Sequence, residues 1–277
     1  MLGVTSPWQR LSDRDRGLPS AQVLHEGSPS HLEAPLRKWI DKALRDVGVA
    51  ERVALRLEVG VGNADPAIVL ARLSHPNELL DIVDAILACG GPQGGSQLHE
   101  LEMILSDGSS AWRINDDFTG LTRWVNATAG AAAVEAERAA SALPSAGSAA
   151  TQLAAAWAAV YRLHPDPPAA YRDAVRAVES AAHAIVEPNN RSATLGTMLG
   201  QLRAQPQRYA LAIPGPGGTG SIEPLIGMME LLWRGQTSRH GAQTTTRSET
   251  YDEARMAVHL AVTLVQWFTT GVVRRVP

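Results

Sequence analysis

The chain has one cysteine, Cys89, in 277 residues. That excludes a disulfide framework within the chain and a thiolate zinc site, and it fits a reducing compartment. Lysine is nearly missing as well: of 25 basic residues, only Lys38 and Lys42 are not arginine. No apolar run approaches the roughly 20 residues that a membrane-spanning helix needs. The opening MLGVTSPWQRLSDRDRG lacks the apolar centre of a secretory signal. The formal charge is −3, so no bulk positive field draws in nucleic acid or a lipid surface, and any polyanion binding has to be local. These absences predict a cytoplasmic protein without membrane contact. An apolar content of 45% against 19% charged residues excludes general disorder, and the length allows one large or two small domains.

Residues 1–30 mix Ser, Pro, Gly and charge without period and read as a flexible leader. From His31 the period becomes helical: Leu32, Leu36, Trp39, Ile40 and Leu44 recur at three- and four-residue spacing. A second stripe, Leu79, Leu80, Ile82, Val83, Ile86 and Leu87, follows Asn77, which reads as its cap. After the glycine-rich segment 90–95 the period shortens. The pieces Ala111 to Asn115 and Leu121 to Val125, on either side of Asp116-Asp117-Phe118-Thr119-Gly120, predict a β-hairpin. The expectation is a small α+β domain over 31–126.

An alanine-rich stretch from Thr128 to Ala142 reads as part of a linker helix over 127–149, interrupted by Pro144 and Gly147. Residues 150–277 then carry a series of amphipathic stripes, which specifies a helical bundle. Landmarks along it are Leu153–Leu163, Tyr171–Ile185 stopped by Pro188, and a short helix opened by Thr194. A helix after Ser221 tolerates Pro224 in its first turn, and a last one opens with the capping box Thr250 and Glu253. The predicted fold class is therefore mostly α: a C-terminal helical bundle with a smaller N-terminal α+β domain.

The segment from Arg234 to Glu249, RGQTSRHGAQTTTRSE, holds 16 residues without a large hydrophobe, where helix connections usually take 2 to 8. It offers Arg234, Arg239, Arg247, His240, Gln236, Thr237 and Ser238, all donors suited to phosphate or amide contacts. The plain alternative is a solvated loop that merely caps the last helix.

Several stretches carry a family resemblance: A-W-x-x-x-Y at 156–161, PDPPAAYRDAVRAVESA at 165–181 and the Thr194-Leu195-Gly196 helix start. Two more are Arg234-x5-His240-Gly241 and EARMAVHLAVTLVQWF at 253–268. Over about Ala150 to Arg275 the chain resembles the C-terminal domain of abortive-infection proteins, a branch of the HEPN helical superfamily. The resemblance implies a HEPN-like bundle in which an Arg-x4-6-His signature at the end of a bundle helix marks a metal-independent endoribonuclease, commonly active as a dimer. Two such spacings occur here. Arg176 and His183 lie within a predicted helix, whereas Arg234 and His240 stand at a helix-to-loop junction before the final helix, as the family requires.

The chemistry is coherent. Metal-free RNA cleavage uses the ribose 2'-hydroxyl as nucleophile and needs a base, an acid and a cation for the charged phosphorane. His240 suits either proton-transfer role near neutrality, and Arg234 offers a fork for two phosphate oxygens. One histidine does not easily fill both roles at once, so a two-fold homodimer that pairs two such loops would complete the site. The expected product carries a 2',3'-cyclic phosphate. Arg239 and Gln236 are candidates for substrate contact. So are Arg176 and Glu179, from the polar stripe Arg172, Arg176, Glu179 and His183, with Glu179 placed to orient Arg234 or His240; the alternative for that stripe is an ordinary solvated face.

The reading that follows is a phage-defence toxin acting on RNA without metal or other cofactor. Its N-terminal domain would sense a trigger or restrain the toxin, and the partners this reading implies are an antitoxin or a phage-derived trigger. The alternative is a catalytically inactive HEPN-like module that binds RNA or a partner protein. Other candidates are weaker. Pro214–Ser221 precedes a helix but lacks a P-loop lysine and reads as a hinge. His164 and Asp166 have no further ligand near them, and His259 reads as a bundle-facing residue. Trp112 and Trp124 on the hairpin could stack on bases or pack inward.

Overall fold

The computed structural model describes residues 24–92, 94–213, 221–236 and 247–276. The chain divides into two compact units, Met1–Trp124 and Val125–Pro277. Among the described residues helices predominate, with two small two-stranded sheets.

In the first unit, α1 (Ser30–Ala43) buries the stripe Leu32, Leu36, Trp39 and Ile40 that its spacing predicts. The Trp39 indole donates to the Gln97 carbonyl at 2.8 Å, so the largest side chain of this core carries no orphan donor. Next comes α2 (Val47–Arg56), capped by Asp46. A helical turn, Pro66–Ile68, runs into a π-helical turn, Val69–Leu73. The next helix, α3 (Leu79–Ala88), buries seven apolar residues after a 3-10 turn. The residue that caps this start is His75, not Asn77: His75 Nδ1 accepts the Asn77 N–H at 3.3 Å, and Glu78 accepts the His75 N–H at 2.7 Å. The stretch after Gly95, where the period shortens, forms a further helix, α4 (Ser96–Asp107), whose inner face is only Leu98, Leu101 and Leu105.

The predicted hairpin is present as β1 (Trp112–Ile114) and β2 (Leu121–Arg123), paired antiparallel with Trp112 opposite Arg123 and Ile114 opposite Leu121. Asp84 of α3 fixes it by accepting the Leu121 N–H at 2.6 Å. Gly120 permits that approach, since a Cβ there would stand 2.8 Å from the same carboxylate. The leader reading applies at most to residues 1–23, which lie outside the described residues. From Leu24 on the chain is held: the His25 N–H donates to the Ser109 carbonyl and the Ala111 N–H to the His25 carbonyl, each at 2.8 Å.

In the second unit, α5 (Ala127–Ser141) is the stretch read as a linker helix. Instead of bridging, it belongs to the bundle core, with Ala133, Ala136 and Ala140 buried against its neighbours. Alanine-rich composition looks featureless in a periodicity count, yet alanine is what lets two helix backbones approach closely. Then follow α6 (Ala149–Tyr161), α7 (Pro167–Val186) and α8 (Leu195–Ala204). The last two are α9 (Glu223–Gly235) and α10 (Tyr251–Thr269). The centre is α7, packed against α6, α8 and α10 through Ala170, Ala174, Val178 and Ala182. The predicted signals recur: Thr194 caps α8, Thr250 opens α10 with its capping box, and Pro224 sits in the first turn of α9; at Thr194 the structure adds a box closed by Thr197. A second two-stranded sheet, β3 (Tyr209–Leu211) with β4 (Val273–Arg275), joins the segment after α8 to the end of the chain. Three-residue strands leave no period to read.

Candidate functional site

The inward stripe of α9, Leu225, Met229 and Leu232, fixes the rotation of the helix and turns Arg234 outward in its last turn. The Arg234 side chain is 76% exposed and pairs with Glu230 one turn back. Glu230 also holds Arg203 of α8 at 2.6 Å. Two guanidinium groups thus share one carboxylate, and these three side chains keep a net positive charge at the end of α9. Gln236 follows as the half-buried residue that ends α9. Arg239 and His240 belong to residues 237–246, outside the described residues, as does most of the predicted hinge, 214–220.

Where the chain resumes, Arg247 grips Glu253 with two bonds, Nη1 to Oε2 at 2.8 Å and Nη2 to Oε1 at 2.5 Å. Glu253 also accepts the Thr250 N–H at 2.8 Å. The Arg247 guanidinium, with the Thr250 bonds behind it, holds the Glu253 carboxyl down at about 2. Of the three arginines offered by this segment, Arg247 therefore serves the start of α10.

Beside the Arg234 turn lies a cleft of about 170 Å³ between α7, α9 and α10, lined by Tyr171, Leu231, Gly235, Met256 and Leu260 among others. The buried Tyr171 hydroxyl donates to the Leu232 carbonyl at 3.0 Å, satisfying one of the orphan acceptors at the end of α9. That bond dictates Gly235, because a Cβ there would lie 2.2 Å from the Tyr171 oxygen. The glycine after Arg234 is a requirement of close packing.

The polar stripe of α7 spreads into local bonds. Arg172 and Arg176 both pair with Asp173, at 3.2 and 3.8 Å. Glu179 Oε1 accepts the Leu195 N–H at 2.7 Å and so supports the start of α8. His183 Nε2 lies 2.8 Å from the Asn190 carbonyl. Sequence reasoning has Glu179 orienting Arg234 or His240; in the structure Arg234 pairs with Glu230, an i,i−4 neighbour on its own helix, and His240 lies outside the described residues.

A polar group that helical spacing alone does not single out lies inside the bundle. Tyr161 Oη and His259 Nε2 are 2.6 Å apart across α6 and α10, with the Trp157 ring centroid 5.5 Å from the imidazole. Desolvation, and secondarily the charge of Arg255, lowers the His259 pKa below its usual 6.5. The bundle-facing reading of His259 matches this position. Among the described residues there is no group of three or more His, Cys, Asp or Glu able to hold a metal ion, and no helix is long and apolar enough to cross a membrane.

Charge is unevenly divided. Val125–Pro277 carries 13 arginines against 11 acidic residues, whereas Met1–Trp124 carries 12 basic against 17 acidic. The excess negative charge thus belongs to the first unit alone. Comparison with protein-family models, with curated proteins and with solved structures gives no match to this chain.

Proposed function

We propose that the second unit is a metal-independent endoribonuclease of the HEPN abortive-infection type, acting as a phage-defence toxin. Arg234 grips the scissile phosphate and His240 moves the proton. The observation that carries this reading is the state of Arg234: an exposed guanidinium at the end of a bundle helix that, among the described residues, pairs with Glu230 and shares that carboxylate with Arg203, which leaves positive charge to offer an anion. The positive balance of the second unit supports it. A two-fold dimer would bring two copies of His240 to one phosphodiester, one as base and one as acid. Arg239 and Gln236 contribute substrate contacts, and the first unit restrains or triggers the toxin.

The test is cleavage of total RNA by the purified full chain in EDTA, with the 2',3'-cyclic phosphate ends measured. His240→Ala is expected to lower the rate by about 10² to 10⁴, the scale of a lost general acid or base. Arg234→Ala should weaken RNA binding and flatten its dependence on log salt by about one unit of slope. Wild-type cleavage by His240→Ala refutes the assignment. Salt-dependent RNA binding with no cleavage by either protein would instead identify a binding module.

A further inference from the structure

We propose that the first unit carries a binding pocket for a single free nucleotide with an amino-bearing base, best matched by guanine. The pocket measures about 360 Å³, within the range of small-ligand sites. One wall is α4, which supplies Glu102 and Ser106, and another is the turn Ser109-Ser110 that follows it. The hairpin adds Trp112, Arg113 and Trp124, and Leu24 closes the rim.

The walls are firmly held. The Trp112 indole donates to the Glu26 carbonyl at 2.8 Å, and the Arg123 guanidinium lies 5.7 Å from the Trp112 ring centroid while pairing with the Glu26 carboxylate. Ser109 adopts φ +54, a left-handed conformation uncommon outside glycine, and its carbonyl is tied to the His25 N–H. The bond to His25 thus holds this turn of backbone in place at the edge of the cavity.

The functional groups inside are complementary to a nucleotide. The Ile114 N–H bonds Glu102 Oε1 at 2.9 Å, which fixes the carboxylate in place, and among the described residues Oε2 carries no bond. A carboxylate accepts and never donates, so it selects a ligand edge rich in N–H groups; guanine presents its ring N–H and amino group side by side. Trp124 is half exposed, an indole face on which a planar base stacks. Arg113 is exposed and, among the described residues, is held by no more than a 3.5 Å contact to the exposed Asp116, so its fork suits a phosphate. Ser106 lines the same space and carries a hydroxyl suited to a ribose hydroxyl. An aromatic plate, an acceptor and a cation around one cavity are the three contacts that base, edge and phosphate require.

The experiment is titration of the full chain with GMP, AMP, CMP, UMP and guanosine, followed by calorimetry. GMP is expected to bind saturably and UMP at least about tenfold more weakly, because uracil flanks its single N–H with carbonyls that face the carboxylate. Glu102→Gln should weaken GMP by about tenfold or more and erase the preference over UMP. Trp124→Ala should weaken every nucleotide by about fivefold or more, while Arg113→Ala should bring GMP down to the affinity of guanosine. Each variant is compared at a temperature where its circular dichroism equals that of the wild type, and Trp124→Phe, which keeps a stacking face, should bind nearly normally. No saturable binding of GMP up to about 5 mM, or GMP affinity unmoved by Glu102→Gln and Trp124→Ala, overturns the proposal. An oligoribonucleotide bound more tightly than GMP overturns the assignment to a free nucleotide.

Discussion

Replacing Gly235 by alanine is expected to destabilise the second unit, although alanine is by far the better helix former. Propensity favours the change by at most about 1 kcal/mol, and less in a final turn. Against it stands the Tyr171 hydroxyl, 2.2 Å from where the new methyl must go. Tyr171 is buried with its ring packed in the bundle, so relief requires pushing the ring aside or unwinding the end of α9. Overpacking of this kind costs about 1–3 kcal/mol, and losing the 3.0 Å bond to the Leu232 carbonyl costs about 1 kcal/mol more. The net is about 2 kcal/mol, or a fall in Tm of about 4–8 °C for a unit of this size. The assay is a double-mutant cycle in thermal and urea unfolding. Tyr171→Phe removes the offending oxygen and leaves the nearest ring carbon at 3.2 Å, a contact that small shifts absorb. Gly235→Ala should therefore cost clearly less in the Tyr171→Phe background than in the wild type, with a coupling of about 1 kcal/mol or more. Equal cost in both backgrounds, or a stabilising Gly235→Ala, refutes the packing origin of this glycine.

Three further expectations follow from the described contacts. Arg247 depresses the Glu253 pKa from 4.5 to about 2, so the stability this carboxylate adds is complete above about pH 5 and is lost as pH falls toward 2. The Tm gap between wild type and Glu253→Gln should close over that range, and a gap that persists unchanged at pH 2 contradicts the ion pair. His259 is held neutral by desolvation, so its imidazole resonances should titrate below pH 6.5, and the unfolded chain should gain a proton first as pH falls through 6.5. Replacing His259 by phenylalanine should accordingly flatten that acid limb of the stability curve. Ala136→Asp places an unpaired charge at a fully buried position of α5 and should destabilise the second unit by several kcal/mol. A near-neutral effect in a denaturant melt would mean that α5 lies outside the core after all.

The strongest elements of the fold were legible because they depend on local chemistry. The stripes of α1, α3 and α7, the cap at Thr194, the capping box at Thr250, and the hairpin with its Asp-Asp-Phe-Thr-Gly turn all announce themselves within a few residues. What could not be read depends on partners far along the chain. The helix α4 buries only three leucines and forms because α1 and the hairpin supply the rest of its surroundings. The alanines of α5 become core residues only once α6 and α10 are beside them. The same holds at the candidate site. An exposed Arg234 at a helix end was legible from its i,i−2 relation to Leu232, but its sharing of Glu230 with Arg203 depends on a pair that joins α8 to α9 across 27 positions of sequence. Glu179 was visible as an acid on the outer stripe of α7, yet its bond to the start of α8 depends on a turn 16 residues away.

The pairing of β3 with β4 has a consequence for everything between them. The terminal strand is laced to the segment just ahead of α9, with the Val276 N–H on the Arg208 carbonyl and the Ala212 N–H on the Val272 carbonyl. Residues 209–275 therefore form a circuit clasped at its two ends, and both α9 and α10, with Arg234 and His240 on the stretch of chain that runs through them, are spans of that circuit. Deleting Val273–Arg275 would open the clasp and loosen the mooring of a helix end far away in sequence, so a change in that strand is an intervention on the candidate chemistry.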